Sequence, residues 1–293
     1  MRFPGIIPAV TTPFDASGAV DTAGLAANVR ALLDAGVHGI VGNGTMGEAG
    51  SLTVAERRLV LETITEAVDG AVPVIAGASS GTAATSVAHA REAAEAGANA
   101  VMLLPPLGYR ADQAELQAFY AAVASVGLPV MLYNNPKASG VDLLAPAIVA
   151  IASRVEGIVA VKECSGDVRR IPALMAAAPQ LEILVGGDDW ALEGFAAGAT
   201  GWVSGVADVA PRECVALYEH VRAGELEPAR DLCLRLLPLA RFDMTPKLVQ
   251  YFKAAQDEVG LAGGPVREPR LPLTDAEREA LSEALSVLQG VPA

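Results

Sequence analysis

Short apolar runs of strand length alternate along the chain with longer segments whose apolar residues recur at helical spacing, from residue 5 to about residue 210. The runs are GIIPAVTTPF, GIVGNG, VPVIAGAS, AVMLLPP, PVMLYNNP, GIVAVKECS, LEILVGGDD and GWVSGVADV, eight in all. Between them the spacing predicts helices over Asp21 to Asp34, Val54 to Val68, Ser86 to Glu95, Gln113 to Ser125 and Leu143 to Ala152. Three helical segments end alike, in Asp34-Ala35-Gly36, Glu95-Ala96-Gly97 and Ala196-Ala197-Gly198. A glycine just past a helix takes the left-handed conformation that turns the chain back toward the next strand. Eight strand-then-helix units without a break in composition predict a (β/α)8 barrel over residues 1–210, in preference to a doubly wound sheet of two halves. After Pro211 the strands stop, and residues 211–293 read as a C-terminal helical region packed on the barrel or a neighbouring subunit, interrupted by a loop from Gly263 to Pro272.

Composition narrows the function classes. With 293 residues, 52% of them hydrophobic, a large core is assured. Basic residues number 21 against 34 acidic and are scattered, so nucleic acid is not expected as a partner. The longest apolar stretches, such as Leu143 to Ala152, are bounded by Asp142 and Arg154 and fall short of the roughly 18 residues of a membrane span. The opening MRFPGIIPAVTTPF lacks the features of a secretory leader. Cys164, Cys214 and Cys233 are odd in number and form no C-x-x-C, against a disulfide framework or a zinc site, and a reducing cytoplasm is the expected location.

In a barrel of this kind chemistry sits at the C-terminal ends of the strands, which here are Thr11-Thr12, Gly42 to Thr45, Tyr133-Asn134-Asn135, Lys162-Glu163 and Gly187-Asp188-Asp189. The chain has four lysines, Lys137, Lys162, Lys247 and Lys253, and Lys162 alone directly continues a fully apolar strand. A lysine at a strand end ordinarily snorkels to water, but desolvation among apolar walls lowers an amine's pKa and makes it a nucleophile for ketones. Tyr133 closes the preceding run; neighbouring strands lie roughly 4.8 Å apart, so its phenol can stand beside the amine and move protons. Gly42 to Gly47 matches G-x-G-x-x-G, yet Glu48 to Leu52 intervene before Thr53 could cap a helix and no acid follows the third run, so a dinucleotide site is rejected. Its glycines instead let the N–H groups of Thr45 and Met46 approach a small anion such as a carboxylate. His38, His89 and His220 fall on the far side of the units, Asp188 and Asp189 point apart on a strand with no third metal ligand, and Cys164 reads as a small buried thiol. No hydrolase elbow and no P-loop is present.

The segments Gly44-Thr45-Met46-Gly47-Glu48, Tyr133-Asn134-Asn135-Pro136, Lys162-Glu163-Cys164-Ser165-Gly166-Asp167, Gly187-Asp188-Asp189 and Gly198-Ala199-Thr200-Gly201 follow one another in the order and spacing of a known family. On them, essentially the whole chain resembles the pyruvate-dependent class I aldolases and lyases that include dihydrodipicolinate synthase and N-acetylneuraminate lyase. The resemblance implies a homotetrameric barrel needing no metal or organic cofactor. It implies that Lys162 forms a Schiff base with a 2-oxo acid, Tyr133 relays the proton, Thr45 positions the tyrosine and the carboxylate, and the backbone at Met46 and Val203 helps hold the substrate. Three departures set this chain apart from the synthases: Met46 replaces a second hydroxyl, Leu107-Gly108 stands where a tyrosine pair is expected, with Tyr109 one place further on, and Ala138 stands where an arginine grips a second substrate. The expectation is a Schiff-base lyase on a 2-oxo acid, either a pyruvate-releasing aldolase or a 2-keto-3-deoxy sugar acid dehydratase, with Asn135, Lys137 and Ser139 reading the distal groups. A true dihydrodipicolinate synthase is the runner-up. A non-catalytic 2-oxo acid binding protein would have no need to retain both Lys162 and Tyr133.

Overall fold

The computed structural model describes residues 2–290. In chain order its elements are β1 (Gly5–Pro8), α1 (Thr22–Asp34), β2 (Ile40–Gly42), α2 (Val54–Val68), β3 (Val74–Gly77), α3 (Ala83–Glu95), β4 (Ala100–Leu103), α4 (Gln113–Ala124), β5 (Val130–Asn134), α5 (Pro136–Ser139), α6 (Ala145–Ala152), β6 (Ile158–Glu163), α7 (Arg170–Ala177), β7 (Glu182–Val185), α8 (Ala191–Ala196) and β8 (Gly201–Ser204). Four helices follow: α9 (Pro211–Ala223), α10 (Leu226–Ala240), α11 (Leu248–Glu258) and α12 (Asp275–Leu288).

Each strand pairs in parallel with the next, from β2 to β8, and β8 pairs with β1. The ring closes between β1 and β2 through a parallel bridge of Ala9 with Val41, with Val10 N–H donating to the Val41 carbonyl at 3.0 Å. Eight parallel strands with helices between them make the expected (β/α)8 barrel. Nearly every strand residue is buried, because helices cover the outer face while side chains fill the inside.

The helix starts follow local chemistry. Asp21, Thr53, Thr82 and Asp112 accept hydrogen bonds from first-turn N–H groups, and Glu56 and Glu115 complete capping boxes on α2 and α4. The Thr82 cap explains why α3 begins at Ala83, upstream of the expected Ser86. In the opposite sense, α6 begins at Ala145 and not at Leu143, whose N–H donates to Asn134 Oδ1 at 2.9 Å instead of entering a helix. The cap glycines Gly36, Gly97 and Gly198 have φ of 86°, 84° and 105°. Asp188 and Asp189, expected on a strand, lie on a 3-10 turn just past β7.

Beyond the barrel strands, α9 packs on β1 and α8, α10 packs on α9 and α12, and a 3-10 turn at Arg241–Met244 leads into α11. This region is bolted to the strand ends by a buried ion pair. Lys253 on α11, 1% exposed, donates to Glu48 Oε1 at 3.0 Å and to the carbonyls of Thr12 and Pro265. No helix among the described residues is long and apolar enough to cross a membrane.

Candidate active site

The β5–β6 register sets Tyr133 level with Lys162 and Asn134 level with Glu163. Both members of the first pair are 6% exposed, and Lys162 Nζ lies 4.4 Å from the centre of the Tyr133 ring. They stand in a cavity of about 580 Å³ at the C-terminal mouth of the barrel. Most candidates reach that cavity: Thr45 and Met46 after β2, Tyr133, Asn135 and Lys137 at the end of β5, and Val203 on β8. Ser139, expected to read the distal groups, does not line it, and its hydroxyl donates instead to the Asn135 carbonyl at 2.9 Å. Thr45 and Lys137 are exposed at the cavity mouth, whereas Met46 is buried. Tyr109 is not among the lining residues and is half exposed.

The sequence sets these positions locally. The apolar run of β6 ends on Lys162, and Glu163 next to it is fully buried and locked by hydrogen bonds. Its Oε1 accepts from Ser165 N–H at 2.6 Å and its Oε2 from Asn134 Nδ2 at 2.9 Å, and burial pushes its pKa up. On β5 the Tyr133 hydroxyl accepts from Asn135 Nδ2 at 2.8 Å. Burial holds that phenol well above its ordinary pKa, so it stays protonated at neutral pH. Cys164 is buried as expected; its Sγ lies 3.9 Å from the Tyr133 hydroxyl, and burial pushes the thiol up to about 12. At the end of β7, Asp188 accepts from Trp202 Nε1 at 2.9 Å, Gly205 N–H at 3.2 Å and Val206 N–H at 2.7 Å. It thereby fastens the β8 loop that carries Gly205 into the cavity wall.

Part of the wall escaped the sequence reading. Asp243, Met244 and Thr245, on the turn between α10 and α11, close over the strand ends. The only signal for them was one acid and one proline between two helical patterns, which says nothing of where the turn folds back. No cluster of three or more metal-ligating side chains occurs among the described residues.

A model of the dihydrodipicolinate synthetase family matches residues 2–288. The chain belongs to this family. It is 37% identical over 287 residues to a 4-hydroxy-tetrahydrodipicolinate synthase of Methanothrix thermoacetophila, spanning 97% of this chain and 96% of the relative. An uncharacterised DapA-like lyase of Halobacterium salinarum is 35% identical, over 97% and 93%. Among solved structures, dihydrodipicolinate synthase DapA-2 of Bacillus anthracis superposes with a TM-score of 0.94 at 34% identity, over the full length of both chains. A prophage protein of E. coli K12 from the same family, solved in complex with pyruvate, superposes with a TM-score of 0.93 at 28% identity, covering 99% of each chain. As a member of the dihydrodipicolinate synthetase family, the chain is an enzyme of the class I, pyruvate-dependent lyase type.

Proposed function

We propose that the chain is a Schiff-base lyase acting on a 2-oxo acid, as a pyruvate-releasing aldolase or a 2-keto-3-deoxy sugar acid dehydratase. The observation that carries this reading is the Tyr133–Lys162 pair, level in register and 4.4 Å apart inside the cavity. Lys162 Nζ attacks the keto carbon, and the Tyr133 phenol relays protons from that nitrogen to the carbinolamine oxygen, which leaves as water, so that the phenol regains each proton it gives. The resulting iminium withdraws electrons from C3 and C4. Substrate carboxylate binding falls to the N–H groups around Thr45 and Met46 and to the backbone near Val203, with Asn135 and Lys137 at the distal end.

The alternative is a 4-hydroxy-tetrahydrodipicolinate synthase, condensing pyruvate with an aldehyde, as the names of relatives at 37% identity suggest. Against it stand Met46 in the cavity wall in place of a second hydroxyl and Ala138 beside Lys137 with no guanidinium. The enzyme is further proposed to be a cytoplasmic homotetramer that works without metal or organic cofactor and binds neither nucleic acid nor membrane. Proton NMR of the protein incubated with 2-keto-3-deoxy acids is expected to record pyruvate release or water loss, abolished in Lys162→Ala. Condensation of pyruvate with an aldehyde, without either reaction, would hand the assignment to the synthase.

A further inference from the structure

Once the imine on Lys162 has formed, the next step needs a group that accepts a proton from C3. Most of the titratable side chains lining the cavity are unsuited to this. The Tyr133 phenol and the Cys164 thiol are held protonated by burial, Lys162 is consumed in the imine, and Lys137 is a cation exposed at the mouth. Asp243 is the one carboxyl among the described lining residues. It sits on the turn between α10 and α11, and its Oδ2 accepts only a long 3.4 Å hydrogen bond, from Asp188 N–H. The groups around it are charged on both sides. Burial pushes its carboxyl up from the ordinary value, Asp189 acts in the same direction, and Lys162 and Lys137 act against them. Buried Asp188 faces it as well.

We infer that Asp243 is the acid–base residue of the elimination step: its carboxylate takes a C3 proton from the Lys162-bound imine and returns it to the departing C4 hydroxyl. This deepens the Schiff-base reading and rests on it. The electron pair of the C3–H bond becomes the C2=C3 bond of an enamine while the iminium pair moves to nitrogen. The nitrogen pair then returns to re-form the iminium, C3=C4 forms, the C4–O bond breaks, and the oxygen leaves as water with the proton that Asp243 had stored. Asp243 ends as the carboxylate it began as, and hydrolysis of the iminium frees Lys162. Loss of the iminium charge on forming the enamine removes a cation from beside Asp243, which favours its protonated form when the proton must be held. The substrate class follows: a 2-oxo-3-deoxy acid with a hydroxyl at C4, dehydrated in preference to being cleaved.

The test uses pyruvate as the probe in two parallel assays of the wild type and Asp243→Asn. One is borohydride trapping on Lys162 followed by mass; the other is exchange of the C3 protons in D2O followed by proton NMR. Asp243→Asn is expected to keep its adduct while exchange falls about 100-fold. Its thermal unfolding midpoint is expected to stay close to that of the wild type, since a neutral amide replaces a poorly paired buried acid, and Asp243→Glu is expected to recover part of the exchange. Exchange at the wild-type rate in Asp243→Asn overturns the inference, as does exchange lost only in proportion to the adduct. Cleavage of a 2-oxo-3-deoxy acid to pyruvate and an aldehyde, without water loss, overturns the substrate class. A wild type that forms no adduct brings down the Schiff-base reading itself and this inference with it.

Discussion

Gly186 shows how closely the lysine is fitted. A Cβ at this position would collide with Cys164 Sγ and stand 2.9 Å from both Cγ and Cε of Lys162. Gly186→Ala is therefore expected to slow imine formation by about 100-fold through displacement of the amine, read from the rate of borohydride trapping; an unchanged rate would mean that Lys162 has slack. Tyr133→Phe keeps the ring beside Lys162 and removes only the donor. Turnover is expected to fall between about 100-fold and 10,000-fold, and undiminished turnover would remove the phenol from the mechanism. Lys162 and Tyr133 were legible because each ends an apolar run, where the barrel places chemistry. Asp243 was not, because nothing in its neighbours marks a strand end. Lys253 was not either: it lies in a helical pattern between Phe252 and Ala254, and its burial depends on a carboxylate about two hundred residues away.

At the scale of elements, the C-terminal region is held to the barrel by charged contacts to two carboxylates, Glu48 and Glu56, near the β2 loop. Lys253→Met would strand the Glu48 carboxylate, fully buried, with only Arg267 N–H at 3.1 Å and Arg270 at 3.4 Å. A loss of about 3–5 kcal/mol in urea unfolding is expected, with part of it recovered in the double variant Lys253→Met/Glu48→Gln. A loss below about 1 kcal/mol would show that the pair is not the bolt described here. The second carboxylate, Glu56 on α2, pairs with Arg267, which makes further hydrogen bonds to the carbonyls of Gly18 and Ser51. Chiefly through the Arg267 hydrogen bond, Glu56 is lowered from 4.5 to about 2. Its folded value lies below its unfolded one, so its contribution is complete above pH 4.5 and drains away as the pH falls toward 2. Glu56→Gln is expected to flatten the acid limb of stability in that window, measured by chemical unfolding at a series of pH values. An unaltered slope would contradict it. The strands and most helix ends were readable from turn and cap chemistry, whereas these long-range bolts join residues whose pairing no local pattern encodes.

For the whole molecule, eight repeated units foretold the ring, since parallel strands joined by right-handed helical crossovers close most simply in chain order. The sequence did not reveal that a turn from the C-terminal helices supplies one wall of the cavity. The cavity therefore takes its walls from both regions of the chain. A proposed homotetramer of this 30.0 kDa chain is expected to run at about four times that mass in light scattering, and a particle at the single-chain mass would exclude it. The most direct measurement is intact-mass and peptide mapping after incubation with pyruvate and borohydride. A pyruvyl adduct confined to Lys162 and absent from Lys162→Ala is the result expected of a Schiff-base lyase. No adduct with pyruvate or any longer 2-oxo acid would contradict the mechanism and leave a barrel that binds such acids without reacting with them.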